Sequence, residues 1–290
     1  MERVHVPATL ANLGSGFDAL GVALALYLEA EAAPAETDRF HYSGEGFVPD
    51  TPDNLVHQAF RAAFARSGRA APTVEVRVFN PIPLARGLGS SAAARVAGAA
   101  LADRWLDGAL GPEGVFAVAS ELEGHPDNVA PAVFGGFQLA LTEPLQHVAL
   151  AHPEGLRFVV AVPGSPLSTE KARGVLPRQV PHADARYNLA RAALWSAALA
   201  AGRLELLAEA ARDRLHQPYR LELMPGAAEA LAAAEAAGAL AAFVAGAGPS
   251  LAALVNGTGG EVARALADYA GPEGRLLTLE VGGGCTWKAT

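Results

Sequence analysis

Apolar and polar residues alternate along three early stretches of the chain. Arg3 to Pro7 reads R-V-H-V before its proline, Gly21 to Ala32 gains a polar face toward its end, and Val74, Val76 and Val78 interleave with Glu75 and Arg77. A period of two predicts strands with one face buried. Between them, NLVHQAFRAAFARSG carries a helical spacing, with Asp53 read as its N-cap and Gly68 as its stop. After the third strand, Asn80-Pro-Ile-Pro leads into the loop RGLGSS (Arg86 to Ser91) and an alanine-rich helix from about Ser91 to Leu106, so the order is strand, glycine loop, helix. Pro112 and Glu113 open a further helix ending near Glu123, followed by EGHPDNVAPAVFGG.

Strand-like runs follow at Phe137 to Leu141, His147 to Ala151 and Leu156 to Val162, and from Ser168 to Arg212 the pattern is mostly helical, longest from Ala183 to Ala201. Gly226 to Ala237 reads as helix, Ala239 to Ala245 as strand, GAGPS (Gly246 to Ser250) as loop. Leu251 to Val255, Gly260 to Tyr269 and Arg275 to Val281 then read as strand, helix and strand. Helices and strands mix in both halves, which predicts an α+β fold. Pro144, Pro153 and Gly155 make residues 143–155 the best boundary, dividing the chain into 1–150 and 151–290.

Composition narrows the function. Half of the 290 residues are apolar (51%) and 18% are charged, enough for large buried cores and too apolar for wholesale disorder. A net charge of -8 disfavours nucleic acid and anionic membrane surfaces as partners. The apolar stretches are interrupted by residues such as Glu229, Glu235 and Gly238, so no membrane span is expected. A single cysteine, Cys285, excludes an intrachain disulfide and a cysteine-cluster metal site, and the N-terminus shows no signal pattern. A reducing cytoplasm is the expected location. Lys171 and Lys288 are the only lysines, so an anion must be met by arginine or by backbone N–H groups.

The strongest local chemistry lies in PLARGLGSSAA, that is Pro83, Leu84, Ala85, Arg86, Gly87, Leu88, Gly89, Ser90, Ser91, Ala92 and Ala93. The glycines permit close backbone approach, and the helix that starts at the serines points free N–H groups into the loop. Such a loop attracts phosphate, with Arg86 offering charge and the serines hydroxyls. The plain alternative is a tight turn with a good cap. A Walker A loop is excluded, since Ser90 rather than lysine follows Gly89. Gly87 to Ala92 and Gly14 to Ala19 both fit GxGxxA, but the first sits late in the chain with no acidic residue closing a following strand, and the second runs into a strand rather than a helix.

The segment from Glu121 to Asn128 gathers Glu121, Glu123, His125, Asp127 and Asn128 beside a helix end, a density suited to magnesium or to a solvated Asx turn. Thr169 and Arg173 are four apart and share a helix face, and Arg220 follows Pro218. A guanidinium matches a carboxylate. Asn12 and Asp18 in ANLGSGFD could receive an ammonium or hydroxyl group.

Together, ANLGSGFD, PLARGLGSSAA and VAGAGPS resemble, in order and spacing, the three motifs of the GHMP family of small-molecule kinases. EGHPDNVAPAVFGG, STEKARGVLP and HQPYRLELMPG resemble its branch that acts on L-homoserine. The resemblance implies an N-terminal domain like ribosomal protein S5 domain 2, a ferredoxin-like C-terminal domain and a homodimer. It implies ATP and Mg2+ as cofactors, L-homoserine as acceptor, and a product, O-phospho-L-homoserine, consumed in threonine biosynthesis. It places Pro83 to Ala93 on the ATP phosphates and Asn12, Asp18, His125, Asn128, Thr169, Arg173 and Arg220 around the amino acid. Ser91 with Glu123, or alternatively Glu121, would hold the metal, and Glu121, Glu123 and Asn128 are the expected catalytic residues. Mevalonate-type members carry an aspartate base where this chain has Asn128, so a hydroxyl oriented by Asn128, with no side-chain base, is expected here. Another small alcohol as acceptor, a dinucleotide-dependent oxidoreductase and a catalytically silent ligand-binding relative are the competing readings.

Overall fold

The computed structural model describes residues 2–289. In chain order its elements are strands β1 (Glu2–Ala11), β2 (Leu20–Pro34) and β3 (Arg39–Gly44), helix α1 (Leu55–Arg66), strand β4 (Val74–Asn80), and helices α2 (Ser90–Trp105), α3 (Gly111–Glu123) and α4 (Val129–Phe134). Strands β5 (Phe137–Thr142), β6 (Leu145–Leu150) and β7 (Leu156–Val162) follow, then helices α5 (Thr169–Gly174), α6 (His182–Ala200), α7 (Leu207–Ala210), α8 (Gln217–Leu221) and α9 (Ala227–Ala236). The chain closes with β8 (Ala241–Val244), β9 (Leu251–Asn256), α10 (Gly260–Ala270), β10 (Arg275–Glu280) and β11 (Thr286–Ala289).

The elements form two sheets. The first runs β11-β1-β2-β4-β3, with β5 pairing β2 and β6 pairing β5. Within it β3 and β4 are parallel, with α1 between them in sequence, while the other pairs are antiparallel. The second runs β10-β7-β9-β8, all antiparallel. Counted within that half, this is the order 4-1-3-2 of a β-α-β-β-α-β unit, the ferredoxin-like arrangement.

The central strand β7 of the second sheet has no wet face, and its sequence shows it. Phe158, Val160 and Val162 of β7 pack into the core shared with the first sheet, whereas Val159 and Ala161 pack into a second core with α9 and α10. Both sides of LRFVVAV are therefore apolar, because successive strand residues point to opposite faces. The rings of Phe137, Phe158 and Phe243 join the halves through one interior.

Four local features depart from the sequence reading. The α1 cap is Asn54, not Asp53: Asn54 Oδ1 accepts from the Val56 and His57 amides at 3.1 and 3.0 Å. Asp53 instead accepts from the Gln58 side chain. Strand β1 does not stop at Pro7 but continues past it through a register shift against β2, the place where a strand tolerates a residue without an N–H. Strands β3 and β11 were not foreseen, and β11, from the second half, joins β1 in the first sheet. Helices α4 and α8 are short, with a proline in or beside the first turn, where the missing N–H costs nothing.

Candidate active site

Three loops meet above the ends of β1, β4 and β8. A Cβ on Gly87 would lie 2.0 Å from the Ala245 carbonyl, so the 83–89 loop and the 245–250 loop touch backbone to backbone. Gly89 has φ +69 and serves as the N-cap of α2 without any side-chain cap bond. The first backbone bond of α2 that reaches this cap comes from Ala93, leaving the preceding amide N–H groups directed into the cleft. Ser90 Oγ accepts from Asn80 Nδ2 at 3.0 Å, and Ser91 Oγ donates to Glu123 Oε1 at 2.6 Å.

Arg86 does not supply the charge expected of it. Its Nε donates to the Pro163 carbonyl at 3.0 Å, Nη1 to Leu84 at 2.8 Å, and Nη2 to Gly164. The guanidinium is a brace between the loop and the end of β7. Glu121 and Glu123 are also separated. Glu123 is nearly buried in the cleft between Ser91 and Arg95, while the Glu121 side chain is 78% exposed and faces Arg66. Two positions apart on a helix, they point to opposite sides. Ser91 and Glu123 offer hard oxygen donors beside the glycine loop and fit a magnesium ion; Glu121 does not reach the site.

At the other end, Asp127 is 2% exposed, and its Oδ1 accepts from His125 Nδ1 at 2.6 Å and from the Asn128 amide at 2.9 Å. Burial opposes a charge on His125, but the bond to Asp127 and the nearby Glu123 outweigh it and raise the imidazole above its ordinary value. Asn128 Oδ1 accepts from Thr9 Oγ1 at 2.7 Å, leaving its amide N–H groups as donors. Asp18, His125 and Asp127 bring one potential ligand atom each within 4.8 Å of one another.

Asp18 receives both Arg173 Nη groups, at 3.1 and 2.8 Å. Its own amide donates to Asn12 Oδ1 at 3.0 Å, and Asn12 Nδ2 donates to the Gly246 carbonyl at 2.9 Å. Asn12, Leu13 and Asp18 all have positive φ (72, 44 and 55°), a strained backbone of the kind that holds functional side chains in place. Arg220 is 1% exposed; Nη1 donates to Gly246 and Nε to Ala172, while among the described residues Nη2 has no partner. Burial pushes this guanidinium down to about 10, and Arg173 adds to the effect. Thr169, at the start of α5, also lines the cleft.

The cleft has a volume of about 390 Å³ and continues past the glycine loop to an apolar end lined by Phe40, Tyr42, Val48, Val78 and Leu84. Asn80 Nδ2 reaches both Tyr42 and Ser90, tying that end to the loop. The sequence reading missed this end. Apart from Leu84 in the glycine loop, its lining is scattered over β2, β3, β4 and the loops around them, where single apolar residues carry no motif.

Two family profiles match the chain, described as GHMP kinases N terminal domain over residues 54–136 and GHMP kinases C terminal over residues 195–271. A homoserine kinase of Thermus thermophilus is 62% identical, over 100% of this chain and 99% of that protein. One of Deinococcus radiodurans is 45% identical over 85% of this chain and 81% of its own length. The solved homoserine kinase of Cytophaga hutchinsonii superposes with a TM-score of 0.89 at 27% identity, covering 99% of this chain and 96% of that one. Mevalonate kinase of L. major shares the fold, with a TM-score of 0.72 at 17% identity over 96% of this chain and 95% of that one.

Proposed function

The chain belongs to the GHMP kinase family, and from that premise we propose that it transfers the γ-phosphoryl group of ATP to the side-chain hydroxyl of L-homoserine. The observation that carries this reading is the placement, at the polar end of one cleft, of the Asp18 carboxylate, held by Arg173, and of the open Nη2 edge of the buried Arg220. A carboxylate and a buried guanidinium beside each other suit an α-ammonium and an α-carboxylate. An uncharged sugar would leave the Arg220 edge without an anion, at a cost set by desolvation. The homoserine kinases of high identity support the same acceptor.

In this reading the apolar end takes the adenine, the free amides of α2 take the phosphates, and the α-amino acid lies between His125, Thr169 and Arg220. Asn128 donates its amide to the hydroxyl or to a phosphoryl oxygen and cannot remove a proton. The bond to Asp127 keeps a proton on His125 Nδ1 and favours the charged form of the ring beside the phosphates. The hydroxyl oxygen forms its bond to the γ-phosphorus as the bond to the β-phosphate oxygen breaks, and its proton leaves late, to a phosphoryl oxygen. Positioning and charge neutralisation carry such a transfer. Magnesium, held by Ser91 and Glu123, would neutralise phosphate charge when bound. A homodimer, a cytoplasmic location and a role in threonine biosynthesis belong to the same reading, as does the division into 1–150 and 151–290.

The test is product identity. Incubation with ATP, magnesium and L-homoserine should yield one new phosphomonoester whose phosphorus couples to the side-chain methylene protons in the NMR spectrum. ADP and inorganic phosphate without that ester would overturn the assignment.

A further inference from the structure

His216 opens the segment HQPYRLELMPG without a role assigned to it above, and it is wholly buried directly behind the acceptor end. Both ring nitrogens are engaged, and each partner has only one possible role. The Gly14 carbonyl lies 2.7 Å from Nε2 and can only accept, so Nε2 carries the proton. Arg220 Nη1 lies 3.0 Å from Nδ1 and can only donate, so Nδ1 is a bare lone pair. A neutral imidazole of a single tautomer results. Burial, with the Arg220 charge, pushes this imidazole down to about 4, against an opposing pull from Asp213.

The backbone that presents the ring is itself fixed. Asp213 accepts from the amides of Leu215, His216 and Gln217 at 2.9, 2.9 and 2.6 Å, and from Asn188 Nδ2 at 2.7 Å. Phe17 stacks on the imidazole with centroids 5.0 Å apart, and the Arg220 guanidinium lies 5.3 Å from the Phe17 ring. With Nη1 shared between His216 and the Gly246 carbonyl, the guanidinium has one rotational setting, the one that leaves Nη2 open.

We propose that His216 is a positioning residue for the acceptor: its fixed tautomer locks the Arg220 fork onto the acceptor carboxylate and the Gly14 carbonyl, hence the Asp18 loop, onto the acceptor ammonium. The inference rests on the reading that Arg220 binds the acceptor's carboxylate. It predicts that the acceptor, and not the nucleotide, feels a change at His216.

The variants separate the two nitrogens. His216→Asn keeps an acceptor for Arg220, His216→Gln keeps a donor for Gly14, and His216→Phe keeps only the ring. His216→Phe should raise the KM for homoserine by about 10-fold or more, the loss expected when a charge-assisted hydrogen bond is removed. His216→Asn should recover most of that loss, and the KM for ATP should stay within about twofold in all three. In an Arg220→Ala background, His216→Phe should cost clearly less than it does alone, since only the Gly14 arm is left to lose. Where His216→Phe does not fold, the Asn and Gln variants decide. Equal homoserine KM in both, ATP and homoserine KM rising together, or full additivity with Arg220→Ala would overturn the proposal. An Arg220→Ala enzyme with unchanged homoserine KM would instead overturn the reading beneath it.

Discussion

Thr9 Oγ1 donates to Asn128 Oδ1 at 2.7 Å, and a Cβ on Gly89 would fall 1.9 Å from that hydroxyl and 3.0 Å from that carbonyl. The glycine loop and Asn128, proposed to orient the hydroxyl, are thus packed as one unit. Gly89→Val should therefore weaken both ATP binding and kcat, by roughly 100-fold in kcat/KM if an alignment and a donor are lost together. Arg86→Ala should act differently. It leaves three carbonyls without a donor and should lower stability by about 1–3 kcal/mol, with ATP KM little changed. Thermal unfolding and ATP kinetics on the two variants check this; equal effects on ATP KM would remove the loop from the phosphate site.

Asn128→Asp places a carboxylate where Asn128 Nδ2 now lies 3.5 Å from Asp127 Oδ1. Repulsion from Asp127 and from the γ-phosphate opposes it. The variant should lose about 100-fold in kcat, the scale of removing one transition-state donor, with no gain from the added base. Steady-state kinetics decide, and activity at or above that of the unmodified enzyme would contradict the base-free transfer.

Glu123→Gln should raise the magnesium concentration needed for half-maximal turnover by about 10-fold, because a neutral amide is a weaker ligand for a hard cation. Glu121→Gln should leave it unchanged. Magnesium titrations of both variants settle the choice between the two carboxylates, and the reverse pattern would reassign the site.

The His125–Asp127 pair makes a pH prediction. A folded-state pKa above the ordinary histidine value of 6.5 means that the protonated pair adds stability in full below that value. The contribution is lost as pH rises through the folded value. The melting-temperature difference between the unmodified enzyme and His125→Asn should therefore be large at pH 6 and shrink by pH 9. A difference that grows toward pH 9 would show the opposite shift.

Acceptor analogues probe the polar end separately. Removal of the α-carboxylate, as in 3-aminopropanol, should cost affinity through Arg220, and removal of the amino group, as in 4-hydroxybutyrate, through Asp18. Each loss should be roughly 10-fold or more, typical of a charge-assisted bond. In Arg220→Ala the penalty for the carboxyl-free analogue should vanish while that for the amino-free analogue remains.

Local signals carried the sequence reading far. The alternation in Val74 to Val78, the glycines of the 83–89 loop and the helix after it all lie within a few residues of what they specify. Asn12, Asp18, His125, Asn128, Thr169, Arg173 and Arg220 do line one cleft. What failed to show is non-local. The apolar end draws on β2, β3, β4 and the loops around them, each contributing a side chain or two that look like ordinary core. Whether Glu121 or Glu123 faces inward depends on where α2 sits against α3. Arg86 reads as a free charge until the end of β7 supplies the carbonyls that hold it. Strand β11 has no pattern of its own and forms because β1 offers an edge.

The central claim is the acceptor. An ADP-release assay with ATP and magnesium over L-homoserine, mevalonate, shikimate and galactose compares kcat/KM directly under one set of conditions. The account predicts that L-homoserine exceeds every other acceptor by at least about 100-fold, since each lacks a partner for Asp18, for Arg220 or for both. A higher kcat/KM with any of the other three, or ADP release indifferent to the acceptor, would contradict it.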